Sequence, residues 1–354
     1  MNNCRYLNLF GNRCEGRLRA LWRLLIVILL GLAGVGIFRL LATAIILFLL
    51  MLTMQVPFGS IGNGQELARE LNREFLRFPL LVGVRSLIIL SLIWLAFVLV
   101  AHWLDVRPWR DYGFHCNATW WRDLTFGLLV GVGLISMIFG VEYGLGWVRV
   151  YGMFENAQPQ LPFWPLFVDG LFAFMLVGVQ EELFARGYLI KNLAEGLHCS
   201  CISARGALFI AYLLTSLFFG FLHANHQNAL LTSSLNLTVF GLFLGLAFIL
   251  THELAIPIGV HIGWNFAQGY IFGFPVSGAN AELSLLATRQ TGPAVWTGGA
   301  FGPEGGLIGF IAILLGMLLL YGWVRWTRRQ VAVQTELARY APLHQKIEGK
   351  ASES

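Results

Sequence analysis

Long apolar runs, separated by stretches rich in charged and turn-forming residues, dominate the pattern of this chain. About eight of these runs are long enough to cross the ~30 Å hydrocarbon core of a bilayer as helices. They cover residues 23–52, 81–103, 124–147, 163–184, 205–223, 230–251, 255–273 and 305–325. The pattern predicts an all-α, polytopic membrane protein with about eight transmembrane helices.

The composition supports this class. Hydrophobic residues make up 57 % of the 354 residues, and charged residues make up only 12 %. A soluble globular domain carries about 25 % charged residues, so this chain would expose far too much apolar surface in water. The net charge of +5 lies mostly near the two ends of the chain. Basic ends of this kind set the orientation of a membrane protein. We therefore expect the lipid bilayer as the environment and no nucleic-acid partner.

The basic residues are concentrated in four segments outside the predicted spans. The N-terminal arm, the 104–123 and 185–204 loops and the C-terminal tail are all basic, with Arg186 and Lys191 in the 185–204 loop. Eight crossings would put all four segments on one side, as the positive-inside rule requires. We expect an integral protein of the bacterial plasma membrane with both termini in the cytoplasm.

Weaker signals describe the spans themselves. Residues 54–80 alternate in charge at helical spacing, which predicts an interfacial or exposed amphipathic helix. Arg39 lies within the first apolar run and indicates a tilted or broken helix. Small residues four apart allow close packing of membrane helices. Two such pairs are Gly127 with Gly131, and Gly241 with Gly245.

Three charged residues lie at the end of the fourth predicted span and just beyond it, in the stretch GVQEELFARGYL. A charge at the bilayer centre costs at least ~2.5–3.5 kcal/mol, so each needs a partner or a function. Glu182 and Arg186 are four residues apart and can pair on one helix face. Glu181 is rotated by about 100° from Glu182 and lacks that partner. The spacing therefore makes Glu181 a candidate general base and Glu182 a paired, structural carboxylate.

Two further polar clusters lie on later spans. One helix face carries Ser216, Phe219 and His223, and one face of another helix carries His261, Asn265 and Gln268. Each cluster alone is explained by packing, since a membrane histidine or asparagine often only joins two helices by hydrogen bonds. Two carboxylates, two histidines and an amide on three spans together predict a polar cavity inside the membrane.

These side chains fit the hydrolysis of an amide by an activated water molecule. Glu181 and His223 could hold and deprotonate water, while His261 and Asn265 could donate hydrogen bonds to the oxyanion that forms. Zinc bound by one glutamate and two histidines is a competing mechanism. The zinc-protease pattern HExxH is absent, because His252-Glu253 has no second histidine at the required spacing.

The order and spacing of these motifs resemble one protein family. The motif residues are Glu181, Glu182, Arg186, Phe219, His223, His261 and Asn265. They resemble the CPBP family, the type II CAAX prenyl proteases and bacteriocin-processing (Abi) proteins, which are intramembrane glutamate proteases. The resemblance covers about residues 162 to 272, and TGGAFGPEGG near residue 300 also looks like bacterial members.

The resemblance implies an eight-helix membrane protein with its active site inside the bilayer. It implies that Glu181 and His223 activate water without a metal ion or other cofactor. It also implies that His261 and Asn265 form the oxyanion site. Supporting roles then fall to Glu182, Arg186 and Phe219.

We divide the chain into N-terminal spans (1–160), a catalytic core (161–275) and an outer loop, last span and basic tail (276–354). The leading hypothesis is an endopeptidase acting on a membrane-associated or lipid-modified peptide or protein, as in bacteriocin maturation or self-immunity. A non-enzymatic scaffold or immunity protein, a zinc-dependent membrane protease and a proton-coupled transporter are the alternatives. No inverted repeat is evident, which argues against the transporter.

Strict counting of crossings leaves one conflict. It puts Glu181 near the cytoplasmic end of its span and His223 near the outer end of the next. The two side chains can meet only if a helix over 163–196 runs through the site, or if the 205–223 span is shallow or tilted.

Overall fold

The computed structural model describes residues 9–12, 15–31, 91–157, 159 and 161–340. Three sequence predictions lie outside these residues: the amphipathic helix over 54–80, the position of Arg39, and most of the first span over 23–52. They stay predictions.

Helices make up most of the described chain. They are α1 (Ala20–Gly31), α2 (Ser91–Leu104), α3 (Ala118–Gly144), α4 (Phe163–Leu197), α5 (Ala204–Leu222), α6 (Leu231–Thr251), α7 (Ala255–Phe266), the short α8 (Ala294–Thr297) and α9 (Leu307–Arg328). Two pairs of short strands accompany them: β1 (Gly11–Asn12) with β2 (Arg17–Leu18), and β3 (Val148–Asn156) with β4 (Leu283–Gln290).

Five helices of the described chain are long and apolar enough to cross a bilayer, namely α3, α4, α5, α6 and α9. The prediction of a mostly helical, polytopic membrane protein is confirmed. Helix α7 is only 12 residues long, and its first ten residues are all buried. It continues through π-helical turns at Ala267–Ile271. The predicted span over 255–273 is therefore an internal helix, enclosed by its neighbours.

Glycines bring α3 and α7 into close contact. A methyl group added at Gly131 would lie 2.5 Å from the carbonyl oxygen of Val260, and one at Gly263 would lie 2.5 Å from that of Leu128. Gly127 and Gly259 are equally tight, because their added carbons would lie 2.6 Å and 2.4 Å from backbone oxygens of the facing helix. The close packing expected from Gly127 and Gly131 is confirmed, and α7 supplies a matching pair.

The predicted loop over 185–204 is wrong for residues 185–197, because helix α4 includes them. The helix runs for 35 residues to Leu197, about 52 Å at the α-helical rise, instead of ending at residue 184. The charges that indicated a loop are buried and satisfied within the bundle. Arg186 pairs with Glu182, and Lys191 Nζ donates to the carbonyl oxygen of Asp111 at 2.7 Å. Internal partners thus let a helix carry charges that local sequence assigns to a loop.

Several basic residues of the N-terminal arm and the 104–123 segment also pair internally. Glu195 Oε2 accepts from Arg17 Nη2 at 2.8 Å and from Arg107 Nη2 at 2.6 Å. Arg23 Nη1 donates to Asp105 Oδ1 at 2.7 Å. All five side chains are nearly completely buried. The network ties the N-terminal segment and the loop before α3 to the last turns of α4.

Strands β3 and β4 form an antiparallel pair that the sequence did not reveal. β4 lies in the outer loop predicted within 276–354, and β3 follows directly on α3. Residues 149–151 and 153–155 of β3 are all exposed, so the strand lacks the alternating burial that marks a half-buried strand in sequence. Its pairing with β4, more than 120 residues later, is a long-range contact that local pattern does not encode.

His115 and His252, at the end of the bundle opposite to β3 and β4, have different environments. His252 follows α6 with a left-handed φ of 56°. Burial, and then the charge of Lys191, lower the pKa of His252 to about 3. By contrast, the hydrogen bond from His115 Nδ1 to Glu253 Oε1, at 2.7 Å, raises the pKa of His115.

We expect the free energy of unfolding to fall as the pH drops from about 6.5 to 5, because only the unfolded chain protonates His252 there. The loss is at most ~1.4 kcal/mol for each pH unit. His115 adds no such slope, because its stabilisation is complete below its unfolded pKa and is lost only at higher pH. His252→Asn tolerates the left-handed backbone and should flatten the slope in thermal unfolding. An unchanged slope would contradict the assignment.

Candidate active site

Helix α4 carries the first cluster near its middle. The backbone changes there from α-helical to π-helical hydrogen bonding, which extends over Leu183–Ile190. Such turns widen a helix locally and are frequent at functional sites. They begin directly after Glu181 and Glu182, so the two carboxylates lie at the last α-helical turn.

Glu182 joins two helices through one oxygen. Its Oε1 accepts from Arg186 Nη1 at 2.7 Å and from Nδ1 of His261 on α7 at 2.8 Å. Arg186 Nη2 also donates to the carbonyl oxygen of Gly241 on α6, at 3.3 Å. The side chains of Glu182 and Arg186 are 0 % and 2 % exposed. This buried pair is held by charge-assisted hydrogen bonds and orients the His261 ring.

Glu181 differs from Glu182 in its exposure and in its ionic partners. Its side chain is 33 % exposed, and its Oε2 lies 4.0 Å from Nε2 of His261. Because Nδ1 of His261 is directed to Glu182, Nε2 is the ring nitrogen directed towards Glu181. Glu181 is thus the more accessible carboxylate of the pair, and it lies apart from the Glu182–Arg186 ion pair.

His223 lies at the end of α5, where the helix tightens into a turn over His223–Asn225. Its Nδ1 lies 2.8 Å from the carbonyl oxygen of Phe219, so Nδ1 carries the proton and donates. Nε2 of the neutral ring is then an acceptor. The Phe219 ring lies between the two histidines, with its centroid 4.7 Å from that of His223 and 6.3 Å from that of His261, so His223 adjoins the cluster.

Aromatic rings enclose the paired residues. The guanidinium carbon of Arg186 lies 4.5 Å from the ring centroid of Phe219. The rings of Phe219 and Phe240 approach His261 edge-on, with centroids at 6.3 Å and 6.1 Å. Sequence reasoning singled out Phe219 but missed Phe240, which precedes the glycine that accepts from Arg186. The Gly241-xxx-Gly245 motif marks this part of α6 as tightly packed and was the available signal.

The remaining predicted polar residues have different surroundings. Asn265 is half-buried one turn after His261, and its side chain makes no hydrogen bond within the described chain. Gln268 points away from the cluster, since Nε2 donates to the carbonyl oxygen of Pro275 at 2.6 Å. Ser216 donates back to the carbonyl oxygen of Tyr212 at 2.8 Å. Gln268 and Ser216 therefore lie outside the candidate site, and the seven motif residues stay its predicted members.

In the described residues, no group of three or more His, Cys, Asp or Glu side chains is arranged to hold a metal ion. His261 Nδ1 is already engaged by Glu182, and His223 Nδ1 by a backbone oxygen. The Nε2 atoms of these rings, the Glu181 carboxylate and the Asn265 amide remain available for chemistry at the candidate site.

Residues 162–267 match the Rce1-like family model. The model describes a type II CAAX prenyl endopeptidase, which agrees with the family resemblance of the motifs. The Rce1-like segment covers 106 of the 354 residues, and it contains all seven motif residues. Compared with curated proteins and with solved structures, the chain shows no significant match. The Rce1-like segment and the apolar helices together support an integral membrane endopeptidase of the CAAX-protease type.

Proposed function

We propose that this protein is an intramembrane glutamate endopeptidase that cleaves membrane-associated or lipid-modified polypeptides with an activated water molecule. The unequal pair of carboxylates on α4 carries the proposal. Glu182 is buried against Arg186 and His261, whereas Glu181 is a third exposed beside His261. A carboxylate that is accessible, lacks an arginine partner and faces two histidines is suited to proton transfer.

In the proposed reaction, Glu181 and Nε2 of His223 accept the hydrogen bonds of a water molecule. Glu181 takes one proton as the water oxygen attacks the scissile carbonyl carbon. His261 Nε2 and the Asn265 amide donate hydrogen bonds to the tetrahedral oxyanion. Glu181 then passes the proton to the leaving nitrogen as the C–N bond breaks. The products are one new carboxylate and one new amine.

The oxyanion role requires a proton on Nε2 of His261. Nδ1 already donates to Glu182, so a donating Nε2 makes this ring an imidazolium. The site then has no net charge, because Arg186 balances Glu182 and the imidazolium of His261 balances Glu181. Such balance is needed where the surroundings are apolar, because an uncompensated buried charge is costly.

A membrane-tethered peptide is the substrate class we propose, because Glu181 and His223 lie on helices apolar enough to span a bilayer. A peptide bond must enter the bundle between α4, α5 and α7 to reach them. Peptide maturation and self-immunity, as in the bacteriocin-processing relatives, are the proposed biological setting.

The test compares purified wild type with Glu181→Ala, using a library of membrane-tethered peptides in isotopically labelled water. Wild type should cleave a subset of peptides and place one labelled oxygen in each new carboxylate, whereas Glu181→Ala should cleave none. Glu336→Ala is the matched control, since it removes an exposed carboxylate near the C-terminus. Equal cleavage by wild type and Glu181→Ala, or none by wild type, would contradict the proposal. Loss of activity with a chelator, restored by zinc, would favour the metal mechanism.

A further inference from the structure

The sheet formed by β3 and β4 lies at one boundary of the helix bundle. β3 connects the end of α3 at Gly144 to the start of α4 at Phe163. Both helices are candidate membrane spans, so the connection between them marks one surface of the membrane. β4 pairs along the length of β3 and therefore lies at the same level.

Aromatic side chains surround this sheet. Tyr143, Tyr151, Phe154 and Trp164 are 58 %, 68 %, 50 % and 59 % exposed. Tyrosine and tryptophan are enriched where membrane proteins meet lipid headgroups. The exposed rings therefore indicate that β3 and the ends of α3 and α4 lie at headgroup level.

Two arginines face each other across this sheet. Arg149 of β3 and Arg289 of β4 are direct register partners. Side chains directly opposite in an antiparallel pair project from the same face about 5 Å apart, and like charges there are destabilising. Neither guanidinium forms an ion pair or a side-chain hydrogen bond within the described chain, and both residues are exposed. No ion pair among the described residues neutralises this doubled charge.

A cleft of about 690 Å³ lies beside the two arginines. Its lining consists of Arg149, Tyr151, Thr288, Arg289, Gln290 and Thr291. The nearby carboxylate of Glu142 is already engaged, because Gln290 Nε2 donates to both of its oxygens at 3.1 Å and 2.9 Å. The two guanidinium groups, with the Tyr151 hydroxyl beside them in the lining, provide donors of the kind that phosphate oxygens favour.

We propose that this cleft binds the phosphate of an anionic phospholipid headgroup. The phosphate bridges Arg149 and Arg289 and removes their repulsion, and the exposed aromatic rings contact the upper acyl chains. A lipid suits the position better than a soluble anion, because the cleft lies among side chains that favour the membrane interface. The site is independent of the peptidase chemistry.

The test measures thermal unfolding of the detergent-purified full chain with added phosphatidylglycerol, phosphatidylcholine or inorganic phosphate. Phosphatidylglycerol should stabilise wild type most, and its apparent affinity should weaken about fivefold for each arginine changed to glutamine. Arg205→Gln, an exposed arginine at the other end of the bundle, is the matched control and should behave as wild type.

The sign of the effect without lipid separates a binding site from a structural role. Without lipid, Arg149→Gln and Arg289→Gln should be at least as stable as wild type, because each removes the repulsion between like charges. With phosphatidylglycerol, wild type should become the more stable protein. An equal response to phosphatidylglycerol in the double variant would overturn the proposal. A full response to inorganic phosphate alone would assign the site to a soluble anion and overturn the lipid assignment.

Discussion

Glu181→Gln is expected to abolish peptide cleavage while changing the free energy of unfolding by less than about 1 kcal/mol. Glu182→Gln is expected to cost about 3–5 kcal/mol of stability and to lower activity as well. The two residues are adjacent and chemically identical, so the contrast depends only on their surroundings. Glu181 is 33 % exposed, and within the described part of the chain its only ionic contact, with His261, is at 4.0 Å.

Glu182 has the larger structural effect because two cationic or polar donors depend on it. Without the carboxylate charge, the guanidinium of Arg186 is left buried among uncharged groups, namely the new amide, the carbonyl oxygen of Gly241 and the ring of Phe219. The amide oxygen of the glutamine accepts only a weaker, uncharged hydrogen bond from His261, so Nε2 is held less firmly towards Glu181. Activity therefore falls through misplacement, in addition to the loss of folded protein.

Thermal unfolding and cleavage assays on both variants in the same detergent test the contrast. The double variant Glu182→Gln with Arg186→Met removes both charges and should recover part of the stability lost in Glu182→Gln, because no unpaired charge remains. It should not recover activity, since His261 still lacks the carboxylate charge that orients its ring and favours its imidazolium form. Equal stability losses for Glu181→Gln and Glu182→Gln would contradict the distinct roles.

The spacing of residues along the chain was sufficient to predict the interactions within helix α4. The Glu182–Arg186 pair follows from a separation of four residues, and the different exposure of Glu181 follows from its rotation about the helix. The contact between Glu182 and His261 joins residues 79 positions apart, and no local rule specifies it. The same limit applies to Phe240 and to the pairing of β3 with β4.

Charge patterns misled the prediction where partners are internal. Arg186 and Lys191 were read as loop residues, yet α4 continues past both to Leu197. This extension also resolves the conflict in the counting of crossings. Glu181 lies near the middle of a 35-residue helix, so it can meet His223, which follows the last residue of the 19-residue α5. Hydropathy cannot locate the end of a helix whose charged residues are neutralised by the fold.

The close approach of α3 and α7 has a direct consequence for the site. Gly263 lies between His261 and Asn265 on α7, and both proposed oxyanion donors are positioned by the distance between these helices. A methyl group at Gly263 would meet the carbonyl oxygen of Leu128 at 2.5 Å, and a backbone atom cannot turn aside as a side chain can. Gly263→Ala must therefore push the two helices apart.

We expect Gly263→Ala to reduce cleavage about a hundredfold, since displacement of catalytic groups by ~1 Å has effects of that size. Gly133→Ala is the matched control on α3, because its added carbon meets no atom within 4 Å. Helix propensity alone favours alanine over glycine by ~1 kcal/mol, so the control should be at least as stable as wild type. Cleavage assays on folded fractions of both variants distinguish a displaced site from lost protein. Full activity in Gly263→Ala would show that the spacing of α3 and α7 does not position His261 and Asn265.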